Sequence, residues 1–200
     1  MSPERRWFIS QRWLELEGEG RTNVLRVLAV AAYYAVHLMG YLGSAEQNAG
    51  LALFHNRVTE ISFCWLILSL LVLVCLQRHY FPAGLKYFTA VVDTLLVTVL
   101  ASLGNGPESP IVLAYFLILA TAALRFSLRL VWTTTFATAL GYLVLVGKKD
   151  PIWFDENHTT PVVTQLITLL SLGLTGLCLG QIIRRVRALV LKLATAEAQA

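Results

Sequence analysis

Two groups of side chains stand where their chemistry is out of place. Asp93 sits inside the apolar run Ala90-Val91-Val92-Asp93-Thr94-Leu95-Leu96-Val97. An ionised carboxylate at hydrocarbon depth costs at least ~2.5–3.5 kcal/mol, so Asp93 must be paired, protonated or turned to water. Arg125 and Arg129 are its expected partners, because they end the next apolar segment on the same side and short connections keep consecutive elements adjacent. Such a pair is a structural contact if it is permanent. It is a signal switch if helix sliding breaks it, and proton sensing by Asp93 is a third reading.

The second group is histidine and tyrosine. Helical spacing puts Tyr33, Tyr34 and Tyr41 on one face with His37, while His55 precedes the next apolar segment on the same side and His158 lies in a later loop. Two histidines on facing helices can ligate a b-type haem, which would make the chain a redox or quinone sensor. The plainer reading is a hydrogen-bonded polar pocket. Glu60 is expected to contact Arg57, with a place in an outward-facing ligand pocket beside His37 and Tyr41 as the alternative. Cys64, Cys75 and Cys178 fall in apolar runs and read as small apolar residues, so no metal site is expected. The chain carries no HExxH, no GxSxG, no pair of membrane aspartates and no phospho-acceptor histidine box.

The elements that must hold these residues follow from composition. Of 200 residues, 56% are hydrophobic and 14% charged, against about 45–50% and 25% in soluble domains. A chain this short has no interior able to hide that excess, and low hydrophobicity is the mark of disorder, so an integral membrane protein is expected. Six apolar segments read as spans: Val24–Gly43, Val58–Leu76, Tyr87–Gly104, Pro110–Leu124, Leu130–Gly147 and Val162–Ile183. Ser109 reads as an N-cap with Pro110 at the first helical position, and Arg125–Arg129 as a tight turn. The expected fold is an all-α, six-helix transmembrane bundle, preceded by an amphipathic cytoplasmic segment at 1–21.

Thirteen of the 16 Lys and Arg residues, Arg26 among them, fall on one side of this arrangement, which predicts that both termini are cytoplasmic. The net charge of +4 then sets topology and meets anionic lipid, and no nucleic-acid partner is implied. Small-residue spacing at Gly173, Gly176 and Gly180 predicts a close helix contact in the sixth span, at Gly176 and Gly180 above all. Beyond Gln181 the helical period persists. Ile182, Val186, Leu189, Leu193, Ala196 and Ala200 form the seam of a parallel coiled coil, so a homodimeric stalk at 184–200 is expected. The pattern is still running at Ala200, which predicts continuation into a cytoplasmic output domain.

The runs Asp93–Thr98, Gly104–Pro110, Leu113–Phe116 and Ala122–Arg125 resemble the six-span input regions of membrane sensor histidine kinases of the pilus-regulating, PilS-like type. Similar regions precede nucleotide and diguanylate cyclases. The resemblance is strongest over residues 87–147. It implies a dimeric receptor in the bacterial inner membrane, governing a histidine kinase or cyclase. Its stimulus would be a membrane-dissolved ligand or another membrane protein, because the outer loops Ser44–Arg57 and Lys148–Pro161 are too short for a folded sensor domain. A small transporter is the remaining alternative, disfavoured by the lack of broken helices or an inverted repeat.

Overall fold

The computed structural model describes residues 3–44, 49–78, 82, 84–150 and 161–197, with side chains described from 17 to 190. The described residues form six α-helices: α1 (Pro3–Gly43), α2 (Ala49–Gln77), α3 (Leu85–Leu103), α4 (Ala114–Leu124), α5 (Leu128–Lys149) and α6 (Val162–Glu197). No strand occurs among the described residues. Five helical stretches are long and apolar enough to cross a membrane: Glu17–Gly43, Ala49–Gln77, Leu85–Leu103, Leu128–Lys149 and Val162–Val190. Their outward faces are apolar, with Val36, Leu70, Phe136 and Leu170 all exposed. In water such faces would be aggregation sites; in a bilayer they are the lipid contact. This is the character of a multi-pass membrane protein.

Helix α1 is continuous from Pro3 to Gly43, so the segment at 1–21 leads into the first span without a break. An isolated glycine costs a helix only ~1 kcal/mol, and a helix this long absorbs Gly18 and Gly20. Gly18 has a packing reason as well, since a Cβ there would lie 2.9 Å from the Leu124 carbonyl oxygen and 3.2 Å from Arg125 Cα. The absent side chain lets α1 run against the end of α4.

The fourth apolar segment is shorter as an α-helix than expected. Ser109 does cap it, accepting from the Ile111 amide, but Pro110–Leu113 is a 3-10 stretch and α4 proper has 11 residues. Those 11 residues rise ~16 Å and the 3-10 turn adds ~8 Å, short of the ~30 Å hydrocarbon core. The deficit is tolerable because α4 is central, with Ala114, Tyr115, Ile118, Leu119 and Ala122 buried against its neighbours.

The core has two layers. Val97, Tyr115, Leu119, Tyr142, Leu145 and Leu172 fill one, and Ala90, Ala122, Leu130, Val131 and Ile183 the other. The threonines of this interior bond locally: Thr94, Thr98, Thr134 and Thr135 each donate to the carbonyl four residues earlier. Gly176 sets the approach of α6 to α5, since a Cβ there would collide with the Thr135 side chain, and Gly180 meets Leu128 at 3.3 Å. The close contact expected of these glycines is therefore made inside the chain, against α5.

Candidate functional site

One face of α1 carries Glu19, Thr22, Asn23 and Arg26, the spacing that puts residues one and two turns apart on a single stripe. All four are buried. Facing them on α3 are Lys86, Thr89 and Asp93, at the same helical spacing and also buried. Arg125 enters from the C-cap of α4.

These residues sort into two ion pairs. Arg26 Nε donates to both Asp93 oxygens, at 2.8 and 3.1 Å, and its Nη2 donates to Oδ2 at 2.8 Å. Arg26 Nη1 donates to Asn23 Oδ1 at 2.7 Å, and Asn23 Nδ2 reaches the Ser69 carbonyl on α2 at 3.0 Å. The Trp65 indole completes the carboxylate's shell, donating to Oδ1 at 2.8 Å. Such a bidentate, fully bonded pair is the arrangement that can offset the removal of both charges from water. Asp93 is thus paired, as the sequence requires, but with Arg26 in place of Arg125.

Arg125 is engaged elsewhere. Its Nη2 donates to Glu19 Oε1 at 2.8 Å and to Thr89 Oγ1 at 3.1 Å, while Nη1 donates to the Lys86 carbonyl at 2.9 Å. Glu19 and Arg125 side chains are 0% and 3% exposed. This second pair is less complete, because Glu19 Oε2 and Arg125 Nε have no hydrogen-bond partner. Arg129 is exposed and joins neither pair. The physical reason for the exchange is register. Arg26 lies two turns along α1 from Glu19, so one helix supplies a cation to Asp93 and an anion to Arg125 at matched heights.

Glu19, Arg26 and Trp65 escape the sequence reading. Arg26 reads as one more topology-setting charge at a span's end. Its position inside an apolar run, at the same membrane end as Asp93, is the signal that could have identified it.

The turn that follows α4 links this network to α6. Phe126 adopts φ +48°, a left-handed conformation costly for a side chain of its size. Its carbonyl accepts from Arg187 Nη2 of α6 at 2.7 Å. Arg125 reaches inward to α1 and α3, and the adjoining peptide binds α6. A cavity of about 40 Å³ lies beside the Arg26–Asp93 pair, lined by Ala29, Tyr33, Trp65, Leu117 and Ile118 among others. It has room for a few waters, not for a drug-sized molecule.

At the other end of α1 the structure does gather the histidine cluster. His37 Nε2 and His55 Nδ1 are 3.1 Å apart and share a hydrogen bond, with the rings 16° from parallel. Tyr41 stacks on His55 at 4.0 Å, Phe54 sets its ring edge-on to His37 at 5.5 Å, and Tyr34 bonds Thr59 at 3.1 Å. Glu60 turns away to Arg57 at 3.1 Å on the exposed face, so it has no place in this pocket. Haem does not fit the pair as it stands. Axial ligands must leave an iron and a porphyrin plane between them, and here the two nitrogens touch through one hydrogen. His158 lies outside the described residues.

No protein-family model, curated protein or solved structure matches this chain.

Proposed function

We infer that this chain is the membrane input region of a bacterial signalling protein, with six membrane segments and both termini in the cytoplasm. In this reading α6 carries the signal to a kinase or cyclase output, and two copies associate along its cytoplasmic extension. The observation that carries the reading is α6 itself. It runs unbroken from Val162 to Glu197, and Arg187 ties it to the one turn that also anchors the buried charge network. On the side of α6 away from the bundle, Ile182 and Leu189 are 56% and 60% exposed, which supports a second copy as their cover.

The stimulus would be a membrane-dissolved molecule or a neighbouring membrane protein that shifts α1 against α3 and α4. A shift of that kind exchanges one set of buried contacts for another, and the Arg125–Phe126 turn passes it to Arg187. The 3-10 and short α-helical fourth segment counts as the sixth crossing here, because protein surrounds it.

The test is a phase scan. The chain is fused after Glu197 to a dimer-dependent catalytic core, and residues are inserted one at a time after Val190. Output should change with insertions of one to three residues and recover at seven, one heptad. Arg187→Met should alter output without altering membrane insertion. Output indifferent to phase would remove the stalk, and with it this function.

A further inference from the structure

We propose that His37 and His55 form a binding site for one divalent transition-metal ion, Zn2+ or Cu2+, at the α1–α2 end of the bundle opposite the ion pairs. The inference stands independently of the signalling role.

The geometry is the argument. His37 Nε2 and His55 Nδ1 face each other across 3.1 Å. Two imidazole nitrogens bound at ~2.0–2.1 Å to a tetrahedral ion are separated by about 3.3–3.4 Å, a few tenths of an ångström more. The rings lie 16° from parallel with centroids 5.3 Å apart, so the two nitrogens meet nearly in plane. Turning each ring by about 35° in its own plane aims both lone pairs at a common point beside the present contact, where a tetrahedral ion would sit.

The neighbours hold the rings for this. Tyr41 is stacked 11° from parallel on His55 and Phe54 meets His37 edge-on, so each imidazole has an aromatic ring packed against it. His37 and His55 are half-buried, near the α1–α2 end of the bundle. Among the described residues no group of three or more His, Cys, Asp and Glu converges, so these residues supply two ligands to the ion. Imidazole without thiolate selects Zn2+ and Cu2+ over Mg2+ or Ca2+, with Cu2+ the tighter of the two. Coordination requires the hydrogen now between the rings to move to the far nitrogen of its own ring. Both imidazoles remain neutral, and two waters leave the hydrated ion as the two nitrogen–metal bonds form.

The test uses the full chain, purified in nanodiscs without a polyhistidine tag and titrated with Zn2+ and with Cu2+. One ion per chain should bind in the micromolar range, more tightly for Cu2+, and His37→Ala or His55→Ala should each abolish saturable binding. Pulsed electron paramagnetic resonance of the Cu2+-loaded native chain should count two imidazole nitrogens on the ion, a result that depends on no variant's folding. Glu60→Gln, at a residue that turns away from the pair toward Arg57, should bind as the native chain does. A single imidazole in the spectrum overturns the site. So does binding that survives His55→Ala, or the absence of saturable binding, and the pair is then a hydrogen bond between two helices and nothing more.

Discussion

Replacing Arg26 by Met removes a guanidinium whose side chain is 3% exposed and strands the Asp93 carboxylate, 8% exposed, with only the Trp65 indole to bond it. Breaking a buried pair from one side costs about 3–5 kcal/mol, because the remaining charge has lost its counterion but not its burial. Asp93→Asn is milder, about 2–4 kcal/mol, since the amide oxygen still accepts a hydrogen bond while Arg26 loses its anion. The double variant Arg26→Met/Asp93→Asn leaves no buried charge at this position. It should cost no more than Arg26→Met alone, a coupling of at least about 2–4 kcal/mol. The matching cycle pairs Asp93→Asn with Arg125→Met. Arg125 bonds Glu19, Thr89 and the Lys86 carbonyl, so that coupling should stay below about 1 kcal/mol. Reversible unfolding in mixed micelles, followed by Trp fluorescence or circular dichroism, measures both cycles. Equal coupling of Asp93 to Arg125 and to Arg26 would refute the two-pair arrangement.

Two further outcomes follow from packing. Gly176→Ala places a methyl group against Thr135 and should cost about 1–3 kcal/mol in the same unfolding assay, with Thr135→Ala in the same chain restoring most of it; a loss confined to dimer affinity would put Gly176 at an interface between copies instead. Tyr142 and Tyr115 are both fully buried, but the Tyr142 hydroxyl has no partner, while Tyr115 donates to Thr98, whose own hydrogen goes to the Thr94 carbonyl. Tyr142→Phe should therefore be neutral or stabilising by up to about 1 kcal/mol, and Tyr115→Phe destabilising by about as much, a contrast that thermal unfolding reads directly.

The sequence by itself determined the class of this protein. Apolar runs long enough to cross a bilayer are a property of composition and length alone, so five of the expected spans appear as long helices, and the Ser109-Pro110 cap and the tight turn at Arg125 fall where local chemistry puts them. Asp93 was legible as a carboxylate needing a partner, because the cost of an unpaired charge in hydrocarbon does not depend on the fold. The histidine cluster was legible in part: helical spacing gathers His37, Tyr34 and Tyr41, but only the α1–α2 packing brings His55 within 3.1 Å and sends Glu60 to Arg57. The partner of Asp93 was a tertiary matter. Chain proximity favours Arg125, one segment away, whereas the register of α1 against α3 places Arg26 there across 67 residues and gives Arg125 to Glu19, across 106. Pair identity depends on the relative heights and rotations of helices, and those are set by side-chain packing summed over the whole bundle, which no local spacing encodes.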